Sequence, residues 1–132
     1  MQQLSAKPYL SIAERQMLLK KNNLRASLEI LIHWLWIIGA FALVHWYPSV
    51  FTIIIALFIL GGKQLACAIL MHDAGHHSIF TNNKVNEFVG EWLGAFPIFQ
   101  NMKAYRPYHL IHHINTGLED CLLYTSPSPR DS

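Results

Sequence analysis

The chain has 132 residues, 52% of them hydrophobic and only 14% charged, with eight histidines and two cysteines. That length suits one small domain, and the charged share falls well below the ~25% of an ordinary soluble domain, which points to a membrane. A net charge of +2 carried by scattered basic residues gives no nucleic-acid partner, and two cysteines, Cys67 in an apolar run and Cys121 near the C-terminus, give no disulfide framework.

Residues 1–27 are polar and lack the apolar core of a cleaved signal peptide, so they are expected to remain as a cytosolic N-terminal segment. Residues 28–47, LEILIHWLWIIGAFALVHWY, would form a helix of roughly 30 Å, the thickness of a bilayer's hydrocarbon core. Glu29 and His45 sit near its ends, Trp34, Trp36 and Trp46 suit interfacial or packing positions, and His33 reads as a solvated or neighbour-bonded residue rather than a ligand. Pro48 and Ser49 break the pattern. Residues 50–71 form a second span interrupted only by Lys63 and Gln64; an unpaired strand could not satisfy its backbone in lipid, so this span too is expected to be helical. Gly61 and Gly62 within it would serve a close helix contact or a kink, or simply loosen the packing. Lys7, Arg15, Lys20, Lys21 and Arg25 precede the spans, Lys84, Lys103 and Arg106 follow them, and the turn has no basic residue. The positive-inside rule then places both outer ends in the cytoplasm. Residues 85–99 are apolar but too short to span, and with Glu87, Glu91 and Pro97 they suggest an interfacial or re-entrant helix.

Two histidine clusters carry chemistry. In MHDAGHHSIF, His72 and His76 are four residues apart and so share one helical face, whereas His77 points elsewhere and has a structural reading as well as a ligand reading. In YRPYHLIHH, the spacing of His109, His112 and His113 puts all three on one face. Imidazoles so grouped suit zinc, copper, iron or nickel, and no cysteine set favours a closed zinc site. A zinc protease needs a glutamate directly after the first histidine; Asp73 stands there instead. Its shorter side chain fits support of a ligand, accepting an imidazole N–H and fixing the tautomer. Lys103 and Arg106 read as a solvated basic loop, or as attraction for an acidic protein or a headgroup. Tyr105 and Trp92 suit packing, with an acyl channel as the alternative.

The motifs HDAGHH and HLIHH, with WLGAFPIFQNMKAYRPYH between them, resemble the first two histidine boxes of the membrane fatty acid desaturases, closely over residues 71–120 and loosely from residue 28. The resemblance implies an all-α membrane protein, a transmembrane hairpin followed by cytosolic or interfacial helices. It implies two non-haem iron ions as cofactor, with His72, His76, His109, His112 and His113 as ligands and His77 as an optional one. It further implies O2-dependent desaturation of a fatty acyl substrate drawn from membrane lipid, and an electron-donor protein of ferredoxin, rubredoxin or cytochrome b5 type. The bacterial setting would be the plasma (inner) membrane. Family members carry a third histidine box that is not found in these residues, so the chain is expected to be an inactive N-terminal part of the enzyme, residues 28–120. The final CLLYTSPSPRDS, residues 121–132, resembles a translated sequencing adapter and is expected to be artefactual. Alternatives are a related di-iron hydroxylase or carotenoid ketolase, a membrane haem-binding protein, and a metal-binding hairpin with only an assembly role.

Overall fold

A computed structural model describes residues 10–115, and among them every regular element is helical. A short helix, α1 (Ile12–Leu18), opens on a capping box in which Ser11 Oγ accepts from Glu14 N and Ser11 N donates to Glu14 Oε2. Helix α2 (Asn23–Trp46) starts at Asn22, whose Oδ1 accepts from Arg25 N at 3.0 Å. It begins five residues before the expected span, because this cap and the polar residues after it extend the helix beyond its apolar stretch. Helix α3 (Val50–Gly75) follows after three residues. Ser49 and Thr52 cap it reciprocally, and Thr52 Oγ1 also donates to Tyr47 O at 2.6 Å, so the turn satisfies its own polar groups.

At 24 and 26 residues, α2 and α3 are each long and apolar enough to cross a bilayer, yet only 11% of either apolar window is buried. The core helix of a soluble protein would be mostly covered. Here Phe51, Phe58 and Leu57 stand open, which suits a hydrocarbon surrounding. Inside the hairpin His33 Nε2 lies 3.3 Å from Cys67 Sγ, and Lys63 Nζ sits 5.8 Å from the centroid of Trp36. His33 is thus neighbour-bonded and stands outside the histidine cluster.

The stretch expected to be interfacial or re-entrant is helical up to Ile98: α4 (Asn83–Phe88), a π-helical segment (Val89–Ala95) and one 3-10 turn (Phe96–Ile98). It runs back alongside α3. A Cβ added at Gly90 would lie 2.5 Å from Ala74 Cβ, and one at Gly94 would lie 2.8 Å from Met71 N and 3.2 Å from Cys67 O. Pro97 and Ile98 reach the level of Leu60 and Gln64, where they line a cavity with Trp34 and Phe41. The two glycines form a G-x-x-x-G pair that lets backbones approach. By contrast Gly61 and Gly62 meet nothing within 4 Å, so they make no close helix contact here.

The chain then turns at Phe99 (φ 57) and climbs into α5 (Met102–Asn115). Asn101 Oδ1 accepts from Ala104 N, and Glu91 Oε2 accepts from Met102 N, so a carboxylate meets the positive end of α5. Met102, Met71, Ala74 and Ala95 form the buried core, with Ile79 and Tyr105 packed against it. This core lies where α3, the π segment and α5 meet, next to the histidines.

Candidate metal centre

Helix α3 ends in the first histidine box. His76 is its C-cap, His77 N–H donates to Ala74 O at 2.9 Å, and Ser78 N–H donates to Asp73 O at 3.1 Å. These are the two bonds of a Schellman motif, with His77 (φ 53) in the left-handed position that glycine usually fills. The reversal leaves His72 and His76 on one side and carries His77 away from them.

Three side-chain ties hold the loop after this turn. Asn86, fully buried, accepts from Ile79 N and Phe80 N through Oδ1 and donates to Phe80 O and Asn82 O through Nδ2. All of its amide's hydrogen-bonding groups are therefore engaged. Lys21 Nζ donates to His77 O, and Asn23 pairs reciprocally with Thr81.

Helix α5 brings the second box against the first. Nitrogens of His72, His76, His109 and His113 all lie within 4.8 Å of one another. His109 Nε2 is 2.9 Å from His76 Nε2 and 2.9 Å from His113 Nε2. A neutral imidazole nitrogen is either a donor or an acceptor, so hydrogen bonding alone poorly satisfies three converging Nε2 atoms. A metal ion satisfies them all: two nitrogens at right angles, each about 2.1 Å from one ion, are about 3 Å apart. The residues present fit a metal.

Of the other expected ligands, His77 does not join the cluster; its Nε2 lies 3.6 Å from Glu87 Oε1. Nor is His112 in the four-nitrogen group, although its ring lies 5.9 Å from that of His113 and 6.3 Å from that of His109. Spacings of three and four spread over about 100° of a helix, and only His109 and His113 aim at box one. Asp73 Oδ1 is 2.8 Å from His72 Nδ1, and as a carboxylate accepts only, in the neutral imidazole that nitrogen carries the proton and the lone pair is at Nε2.

At two of the cluster histidines, His76 and His109, the surroundings favour the neutral imidazole. Burial, then the neighbouring His113, His72 and His76, holds His109 down to about 4. Burial also lowers His76, helped by His72 and His113 and opposed by Asp73. Tyr105 stacks on His109 with centroids 4.8 Å apart and planes 16° from parallel, and burial raises its phenol. Tyr105 thus packs against a cluster histidine, while Trp92 lies against Phe96.

Arg106 departs from the solvated loop expected of it. It lies on α5, its side chain 21% exposed, with Nη1 donating to Glu87 Oε1 at 2.6 Å and Nε donating to Gly75 O at 2.9 Å. Sequence reasoning missed this tie, together with Asn86, Met102 and the Gly90–Gly94 contact. The glycine pair alone had a visible signal, its spacing; Asn86 and Glu87 look like any polar residues of a short helix.

The expected artefact at residues 121–132 lies outside the described residues. Among solved structures, no match is found. A dihydrorhizobitoxine desaturase of Bradyrhizobium elkanii is 33% identical over 64 residues, 48% of this chain and 18% of the relative, so the chain covers less than two thirds of that protein. The family model described as "Fatty acid desaturase" matches residues 44–130, which takes in both histidine boxes. With two bilayer-length apolar helices and histidine clusters that meet, this is an all-α membrane protein, and the chain belongs to the fatty acid desaturase family.

Proposed function

We propose that this chain is the N-terminal part of a membrane acyl desaturase, an oxidoreductase that introduces a double bond into a fatty acyl chain with O2 at a histidine-ligated pair of irons. The observation that carries this reading is the meeting of His72 and His76 with His109 and His113. His112 is the next ligand in reach, and the third box of a longer chain would supply the rest. Iron held here would supply the one-electron and O2 chemistry that side chains lack. The chain's own part is to offer unprotonated nitrogens: Asp73 fixes the tautomer of His72, and burial disfavours the cationic forms of His76 and His109. An apolar cavity of about 280 Å³, walled by Ile37, Phe41, Leu60 and Ile98, supports a lipid-tail substrate entering from the bilayer.

The boxes and both outer ends of the hairpin face the cytosol in this reading, supported by basic residues on that side and none in the turn. O2 and a ferredoxin, rubredoxin or cytochrome b5 type donor would arrive there.

The test is anaerobic loading of the purified, detergent-solubilised chain with Fe(II), followed by metal analysis and an acyl desaturation assay. One iron or fewer per chain, no desaturation, and binding weakened at least about tenfold by His109→Ala is the expected result. Binding indifferent to His109→Ala overturns the site. Two irons per chain with desaturation overturns the reading of the chain as a part.

A further inference from the structure

The nitrogens that meet at the cluster come from helices that no covalent link holds at the right separation. His76 caps α3, His109 lies in the middle of α5, and 32 residues intervene, including the whole α4–π–3-10 excursion. Something must set the docking of α5 on the end of α3. One anchor is Met102, wholly buried where Gly90 approaches Ala74. The second lies one turn further on, at Arg106.

We infer that Arg106, held by Glu87, is a positioning residue that fixes the distance between the two histidine boxes. Its guanidinium uses two edges at once. Nε caps the carbonyl of Gly75, the residue immediately before His76, at a helix end whose carbonyls lack intrahelical partners. Nη1 meets Glu87 Oε1 on α4. Three residues on, His109 follows on the same side of α5. The two ends of the clamp, Gly75 and Arg106, are thus each within a turn of His76 and His109, whose nitrogens converge at 2.9 Å.

The chemistry requires arginine. Lysine offers one point charge and could not donate in plane to a carbonyl and a carboxylate on different helices. The same Oε1 also lies 3.6 Å from Nε2 of His77, the residue after His76. Arg106 Nη2 is buried with no hydrogen-bond partner among the described residues, so its pairing with Glu87 rests on Nη1 alone.

This inference rests on the metal reading of the histidines, and its test separates the two. Spin labels at Ile69 and Ile114, both exposed, report the α3–α5 distance by pulsed electron resonance in metal-free chain in detergent, with Cys67→Ser and Cys121→Ser as background. In parallel, Co(II) titration reports the ligand set through its visible ligand-field spectrum. Arg106→Gln and Glu87→Gln should each broaden the distance distribution, weaken Co(II) binding by about tenfold and alter its spectrum, with far-UV helicity unchanged. Arg106→Lys should fail to restore either signal. A metal-free distribution identical to the parent's in Arg106→Gln overturns the positioning role. Should the distribution broaden while the parent itself takes up no Co(II), the clamp stands and the metal reading falls.

Discussion

At the residue scale, the cluster contains nitrogens that folding makes hard to protonate. For a histidine lowered on folding, the unfolded chain takes up the proton first as pH falls. The contribution of His109 is therefore neutral above the ordinary value of 6.5, and stability is lost as pH drops from there toward about 4. Thermal melts of metal-free chain in detergent should show that loss over this window, and His109→Gln should flatten it. His77 makes the opposite case, a histidine in a cluster motif that serves the backbone turn. Its left-handed φ costs roughly 1 kcal/mol that glycine would not incur. His77→Gly is expected to keep Co(II) uptake within a few-fold of the parent, whereas His76→Ala should abolish it; equal losses would return His77 to the ligand set. The candidate ligands were legible because helical spacing and imidazole chemistry are local properties. Which of His109, His112 and His113 faces box one was not, since that depends on how α5 is rotated against α3, and the rotation is set by Met102 and Arg106.

The element scale shows why hydropathy gave the excursion from α4 to the 3-10 turn as an interfacial or re-entrant helix but not its docking on α3 and α5. Its apolar residues are too few for a span and its glutamates look solvated, yet Glu87 and Glu91 both bind α5, one through Arg106 and the other at Met102 N. The two apolar helices were legible from length and composition, since lipid demands both. What the π segment does depends on small residues at Gly90 and Gly94, where absence of a side chain is the functional feature. A side chain at Gly94 would strike the backbone of Met71, which cannot swing aside as a flexible side chain can. Gly94→Val should destabilise the docked segment by on the order of 1–3 kcal/mol. The readout is faster amide exchange in residues 89–98 and weaker Co(II) binding, with α2 and α3 still protected. Unchanged exchange there would show that the close approach has no structural role.

For the whole molecule, the decisive contrast is between apolar helices left almost bare and a compact polar assembly at one end of them. Phe58 is 81% exposed, while Asn86 is fully enclosed, the reverse of a soluble protein's arrangement. Single cysteines at Ser49 and at Lys84, in a Cys67→Ser and Cys121→Ser background, should label from opposite sides of sealed vesicles, with Lys84→Cys reactive from the cytosolic side. Labelling of both from one side would refute the hairpin's crossing. The three residues between α2 and α3 have a consequence for biosynthesis. With both outer ends in the cytosol, as proposed, the part that would be carried across the bilayer is Tyr47, Pro48 and Ser49, without one charged side chain and with the Ser49 hydroxyl already bonded within the turn. Inserting such a loop avoids the several kcal/mol that moving a charge through hydrocarbon costs, so the two helices can enter the membrane together in a single event.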